Sequence, residues 1–500
     1  MAASPPLHDA ASLEKAGPGD ALPRAVSPQP SVVFDADAEA RLRRKIDLHV
    51  IPPVALIYIW CFIDRTNIGN ARLAGLERDL GLQNYDYNTL LSVFYVSYII
   101  FEIPLTVLCK RVGPGRFLPA ACFAFGLLSM CTAFVTSAPD PFGAGIAVRF
   151  LLGVAEAPVF PSIGYYLSRW YRKEELTLRL AGYLVCAPLA GAVGGLLASA
   201  ILTLDSIGMY REWQMIFLVE GIITMGVGIA TYFLITDRIG TASWLTPEEK
   251  ALAEARIVSE NPASAVLDKV RASMVLKGIF SQTTIFAGLI FLLNNTTVQG
   301  IALFTPTVIR TLFPGRTVVQ QQLLSVPPYI CGAAAVLLVP YYFMHRPRWI
   351  SIVGSSCLVV VSYAIFLGTE SGSARYAATF LGAVGAFVLG PTVPGWSAVN
   401  SANDSQRAGA ISSVIALGNC GGLIATWSYL PRHAPNYVPG NALNLACGAL
   451  IIILTLMLTA LLTRENARRK RGDRDYRLES LSPEQEELLA HQHPRFRLRV

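Results

Sequence analysis

Arg149 and Glu156 interrupt one apolar stretch, Arg149-Phe150-Leu151-Leu152-Gly153-Val154-Ala155-Glu156-Ala157-Pro158, which with its flanks is long enough to cross a bilayer. Charged side chains are costly in hydrocarbon, and those retained there usually serve a substrate or ion path. Their spacing is about two helical turns, which puts both on one helix face with Gly153 between them. A second pair, Asp64-Arg65, ends the first apolar segment. A buried carboxyl holds or releases a proton according to its neighbours, so alternating those neighbours can load and unload it. An arginine fork can donate two parallel hydrogen bonds to a carboxylate. Asp64 and Glu156 are therefore the expected proton sites, with Arg65 and Arg149 meeting an anionic ligand. The competing roles are structural: an interfacial ion pair ending a helix for Asp64-Arg65, and a helix–helix ion pair for Arg149 and Glu156.

Polar and aromatic residues at depth extend the candidate set. Tyr98 lies six residues before Pro104 and can pack while donating a hydrogen bond. Asn294, Asn295 and Gln299 cluster in a later apolar segment, where amides either stitch helices together or contact a ligand. Trp396, with Asn400 after it, and Asn419 present the same choice; Trp396 is the expected aromatic wall of a cavity. Glu220 is expected to be structural. His491 and His493 are expected to lie in solvated tail. No nucleophile–base pair and no metal-ligand spacing occurs at depth, so neither an enzyme nor a metal or organic cofactor is expected.

The elements that must position these residues are membrane helices. The chain has 500 residues, 53% hydrophobic and 15% charged, against about 25% charged in soluble domains. Its mean hydropathy is +0.46. Twelve apolar segments are expected to form helices, at 48–68, 87–109, 117–136, 143–168, 179–203, 213–236, 281–309, 319–343, 349–368, 375–396, 407–430 and 440–463. The fold class is all-α and polytopic, with two six-helix halves in pseudo-repeat. The expected division is a disordered tail over 1–45, an N-terminal bundle over 46–236, a linker over 237–280, a C-terminal bundle over 281–463 and a tail over 464–500. Thr246-Pro247-Glu248-Glu249 signals a short helix within the linker. Basic clusters at 41–45 and 464–471 place both termini in the cytosol. The net charge of +7 is confined largely to tails and loops and gives no sign of nucleic-acid binding. Nine cysteines stand singly and read as small packing residues.

Several strings carry a family resemblance. They are Phe62 through Ala71 (FIDRTNIGNA), Tyr98 through Pro104 (YIIFEIP), Arg149 through Pro161, and Gly390 through Ser397 (GPTVPGWS) with Asn400 after it. Together with the twelve-span plan they resemble the major facilitator superfamily. More narrowly they resemble its anion:cation symporter branch and the fungal allantoate permease-like carriers. The resemblance covers about residues 45–465. It implies uptake of small organic anions or zwitterions, usually with protons. It also implies an acidic proton site at Asp64, coupled roles for Arg149 and Glu156, and substrate contact by Asn419. One loop departs from the superfamily pattern. Cys109-Lys110-Arg111-Val112-Gly113-Pro114-Gly115-Arg116 lacks the usual aspartate, and Glu102 is the candidate substitute.

The expected activity is secondary active transport: proton-coupled uptake of a carboxylate-bearing nutrient by alternating access, in a plasma-membrane protein acting as a monomer. The proton is the coupling ion, and the partners are a small molecule and the bilayer. The alternatives are a proton-exchange exporter of a fungal secondary metabolite and a nutrient receptor that does not transport.

Overall fold

The computed structural model describes residues 35–172, 175, 179, 182–203, 211–260, 272–343, 346–478, 481 and 489–500. Among the described residues, eleven helices are long and apolar enough to cross a membrane. They are α1 Ala36–Leu73, α2 Asp86–Val112, α3 Pro114–Thr132, α4 Pro141–Ser168, α6 Glu212–Leu234, α7 Gln282–Leu312, α8 Val318–Tyr342, α9 Arg348–Gly368, α10 Gly372–Val399, α11 Gln406–Thr426 and α12 Val438–Lys470. A shorter apolar helix, α5 Cys186–Ile201, completes the expected twelve.

Local chemistry sets the helix ends. Asp140 caps α4 by accepting from the Gly143 amide at 3.0 Å, and Pro141 follows where no intrahelical donor is needed. Thr317 and Gln320 form a reciprocal capping box at the start of α8. Proline also breaks α4 internally. Pro158 lacks an amide hydrogen, and α4 divides into Pro141–Glu156 and Val159–Ser168. Glu156 is the last residue before that break.

Two boundaries and the content of the linker differ from expectation. Residues 36–45, assigned to the tail, form the first turns of α1. They are held by ion pairs to residues beyond the first half: Lys45 to Glu249 at 2.6 Å and Glu39 to Arg256 at 2.7 Å. Residues 464–470 continue α12. The linker carries two helices, Pro247–Glu260 and Ala272–Ile279. The first opens as its sequence predicts, with Thr246 and Glu249 capping each other's amides at 2.9 and 3.2 Å. Residues 1–34 of the expected N-terminal tail lie outside the described residues.

Lys45 meets the linker, and Lys277 at the end of the linker shares a cavity with Arg469 and His491. The start of α1 and the docked residues 489–500 therefore both sit on the linker face of the bundle. The halves touch through α1 on α7, α2 on α11 and α5 on α8. Their hydrogen bonds are grouped away from the linker. The Asn88 amide donates to the Thr426 carbonyl at 2.5 Å, and the Trp427 indole donates to Ser92 at 2.9 Å. Deeper in, the Asn419 amide donates to Glu102 at 2.8 Å.

Close packing within the first half depends on glycine. A Cβ on Gly221 of α6 would lie 2.6 Å from the Met130 amide nitrogen, and one on Gly228 would lie 2.7 Å from that of Phe123. Backbone cannot yield as a flexible side chain can. Gly221→Val should therefore destabilise the protein by about 1–3 kcal/mol through overpacking. The check is thermal unfolding of the detergent-purified protein; an unshifted midpoint would show that α3 and α6 separate freely.

Candidate functional site

Asp64 and Arg65 are neighbours on α1 but point apart, since consecutive helical residues differ by about 100° in direction. Asp64 is fully buried and turns toward α3, where the Ser129 hydroxyl donates to its Oδ1 at 2.8 Å. Its Oδ2 has no hydrogen-bond partner. Arg65 turns toward α2 and α4. Its Nε donates to Glu156 Oε2 at 3.0 Å, and its Nη2 lies 3.0 Å from the same oxygen in an ion pair. Its guanidinium lies 4.9 Å from the centre of the Tyr98 ring and 5.3 Å from that of Phe94. With Phe62 at 5.8 Å, this cation is held by one carboxylate and three aromatic rings.

Glu156 is fully buried and its Oε1 has no partner. The Cys61 thiol, one turn before Arg65, donates to Oε2 at 3.6 Å. Arg149 shares a helix face with Glu156 but does not pair with it. Seven residues rise roughly 10 Å along the axis, too far for direct contact. Arg149 is buried, stands 5.6 Å from the Phe217 ring centre, and has an Nη2 without a partner. Among the described residues it makes no ion pair. The expected couples Asp64-Arg65 and Arg149-Glu156 are thus exchanged for Arg65-Glu156, leaving Asp64 and Arg149 free of ionic partners.

Further carboxyls join the first half. Asn67, one turn beyond Asp64, donates to Glu220, whose Oε1 has no partner. Glu102 is buried on α2 and accepts from Asn419 across the halves. Asn419 therefore meets a carboxylate of the opposite half, and Glu102 does not serve the loop that lacks its usual aspartate. Asp237, just past α6, does so. It accepts from the Gly115 amide at 3.1 Å and pairs with Arg169 at 3.4 Å.

The remaining candidates lie in the second half. Asn294 and Gln299 are buried on α7, and Gln299 Oε1 has no partner. Asn295 donates to the Gly418 carbonyl at 2.6 Å and so stitches α7 to α11. Trp396 is not a cavity wall. It is fully buried, and its indole donates to the Arg499 carbonyl at 3.0 Å. It packs among apolar residues that include Val393, Leu458 and Leu498. The C-terminal segment covers it, and residues 489–500, expected as solvated tail, are docked. Sequence reasoning missed Asp237 and Ser129. The polar run from Asp64 to Asn70 was the available signal that this end of α1 also faces inward.

The arrangement is a buried cluster of acids and arginines in one half, amides in the other, and a division between them. Residues 54–426 match the family model of the Major Facilitator Superfamily. The chain belongs to the major facilitator superfamily. It is an integral membrane protein of a transporter family whose substrates are small molecules. Within that superfamily it is 31% identical to an uncharacterized transporter of Schizosaccharomyces pombe over 441 residues, covering 87% of this chain and 85% of the relative. It is 29% identical to the high-affinity nicotinic acid transporter of Saccharomyces cerevisiae over 434 residues, covering 86% and 79%. Among solved structures it is similar to a D-xylose–proton symporter, with a TM-score of 0.61, 14% identity and coverage of 82% and 97%. It is also similar to a bacterial homolog of the human lysosomal transporter Spinster in an inward-facing, unoccupied conformation, with a TM-score of 0.59, 14% identity and coverage of 85% and 96%. At such identities these structures speak for the superfamily's fold alone.

Proposed function

We propose that the chain imports a small carboxylate together with protons, within the anion:cation symporter branch. It acts as a monomer in the plasma membrane with both termini cytosolic. The observation that carries this reading is the sharing of Glu156 by Arg65 beside Tyr98. A ligand carboxylate can take the place of Glu156 on the Arg65 fork, and Glu156 then keeps a proton in place of its ion pair. Anion and proton binding become one event. Charge counting supports the same reading. Asp64, Glu102, Glu156 and Glu220 are four buried carboxyls beside two buried guanidiniums, Arg65 and Arg149. Unpaired charge at this depth is strongly disfavoured, so neutrality there takes two protons. The proton is the coupling ion, with Asp64 and Glu156 as its sites.

Arg149, buried without an ionic partner, is a second seat for the anion. Tyr98 fixes the Arg65 plane. Asn294, Gln299 and Asn419 supply amide contacts from the second half, and the Asn419–Glu102 bond is one the halves must break to rock apart. The likeness to a nicotinic acid transporter suggests an aromatic monocarboxylate as the first compound to try.

The test is uptake of radiolabelled nicotinate and a panel of other carboxylates by cells with and without the protein. Acidifying the medium should raise the initial rate, and a protonophore should abolish accumulation. If no carboxylate enters faster and expressing cells instead lose a metabolite, the direction is export.

A further inference from the structure

Glu220 of α6 faces the same buried interface as Asp64, where α1, α3 and α6 pack together. Both acids are fully enclosed. Asn67, one turn beyond Asp64, donates to Glu220 Oε2, and Glu220 lies within electrostatic range of Asp64. Three oxygens of this cluster have no hydrogen-bond partner: Asp64 Oδ2, Asn67 Oδ1 and Glu220 Oε1. With both acids ionised, all three are acceptors. The hydroxyl hydrogens nearby are already spent. Ser129 donates to Asp64 Oδ1 at 2.8 Å, and Thr224 donates to the Glu220 carbonyl at 2.9 Å. The Nη2 of Arg149, itself without a partner, reaches none of the three. Buried acceptors with no donor directed at them mark a cluster that is short of one hydrogen.

Charge leads to the same count. Two carboxylates that share an enclosed site cannot both stay ionised. Glu220 meets the charge of Asp64. Asp64 also meets Arg149 and Glu156, both of α4, and Glu156 is already tied to Arg65. The Cys61 thiol of α1 and the Cys122 thiol of α3 border Asp64 as well. The α5 helix, packed against α1, carries no charged residue over Cys186–Ile201. Arg149 can balance one carboxylate of the pair, and the other takes a proton.

We infer that Asp64 and Glu220 form a proton-sharing pair, with Glu220 as the positioning residue that makes Asp64 hold its proton. A proton on either acid supplies the missing donor and removes one of the two like charges. The carboxylate beside it keeps that proton in place. The inference rests on the proton coupling proposed above and divides it between two places. One proton sits on Glu156, where it exchanges with the ligand on the Arg65 fork. The other sits on the pair, which the turn of α1 directs away from Arg65. Glu220 is therefore more than a packing residue between α1 and α6.

Infrared titration of the full-length protein in detergent tests the pair without transport, because a protonated carboxyl has a C=O band that a carboxylate lacks. In the parent protein the band of the pair should persist to higher pH than in Glu220→Gln or Asp64→Asn. Each substitution leaves one acid without its like-charged neighbour, so the midpoint should fall by about one pH unit, the scale on which coupled acids separate. Glu220→Asp keeps the carboxyl and should titrate near the parent. Uptake should follow: Glu220→Gln should need about tenfold more external protons for its half-maximal rate. An infrared midpoint unmoved by Glu220→Gln overturns the inference, even where acid drives uptake by the parent and proton coupling stands. Parent uptake indifferent to pH defeats proton coupling, while the infrared midpoint still decides the pair. Sodium is compared with potassium at fixed pH. If sodium raises the melting point of the parent and not of Glu220→Gln, the three oxygens hold a metal ion and the inference falls. Should Glu220→Gln fail to fold, the infrared midpoints of Asp64→Asn and Glu220→Asp decide.

Discussion

Arg65→Ala should reduce carboxylate uptake by about a hundredfold or more. Breaking a buried pair from one side costs about 3–5 kcal/mol, because the stranded charge loses its compensation. Here the loss falls twice, since Glu156 loses its partner and the ligand loses its fork. The Glu156 Oε2 atom would keep only the 3.6 Å contact from Cys61. Arg65→Lys should recover little, because an ammonium cannot present two parallel donors or lie flat against Tyr98 and Phe94. The measurement is initial uptake rate at matched surface expression. Uptake by Arg65→Ala within a few-fold of the parent protein would show that the pair is only structural.

Glu156→Gln should separate exchange from accumulation. The amide mimics the protonated carboxyl, so the ligand-loaded carrier still crosses between its two states. It cannot give up the proton, so the empty carrier cannot return coupled to the gradient. Counterflow of labelled for unlabelled substrate should persist, while concentration against a gradient is lost. Asp64→Asn should behave similarly but more mildly, because Asp64 faces Ser129 and does not touch Arg65. Concentrative uptake intact in both variants would remove these acids from the proton path.

The sequence made the helices legible and their partnerships less so. Long apolar runs must cover their backbone polar groups with internal hydrogen bonds, and that fixes the helices. Thr246 and Glu249 announced the linker helix because a capping box is a local device. Side-chain pairing across helices is not local. Arg149 and Glu156 share a face, yet two turns of rise keep them apart, and the partner of Glu156 comes from α1. Asp64 and Arg65 are adjacent, yet the helix turns them to different neighbours. The missing loop aspartate is replaced by Asp237, which lies 122 positions from Gly115. No window along the chain could expose that. Trp396 read as a ligand wall because an aromatic at depth suits one. Its actual partner, the Arg499 carbonyl, belongs to a segment whose polarity suggested solvent.

Coupling itself is the central claim, and proton movement measures it most directly. Protein in sealed liposomes carrying an internal pH-sensitive dye is given an inward gradient of whichever carboxylate enters fastest, with no pH gradient. Substrate entry should acidify the lumen in the parent protein, and Glu156→Gln should exchange substrate without acidification. Substrate entry with no proton movement, or with alkalinisation of the lumen, would contradict it.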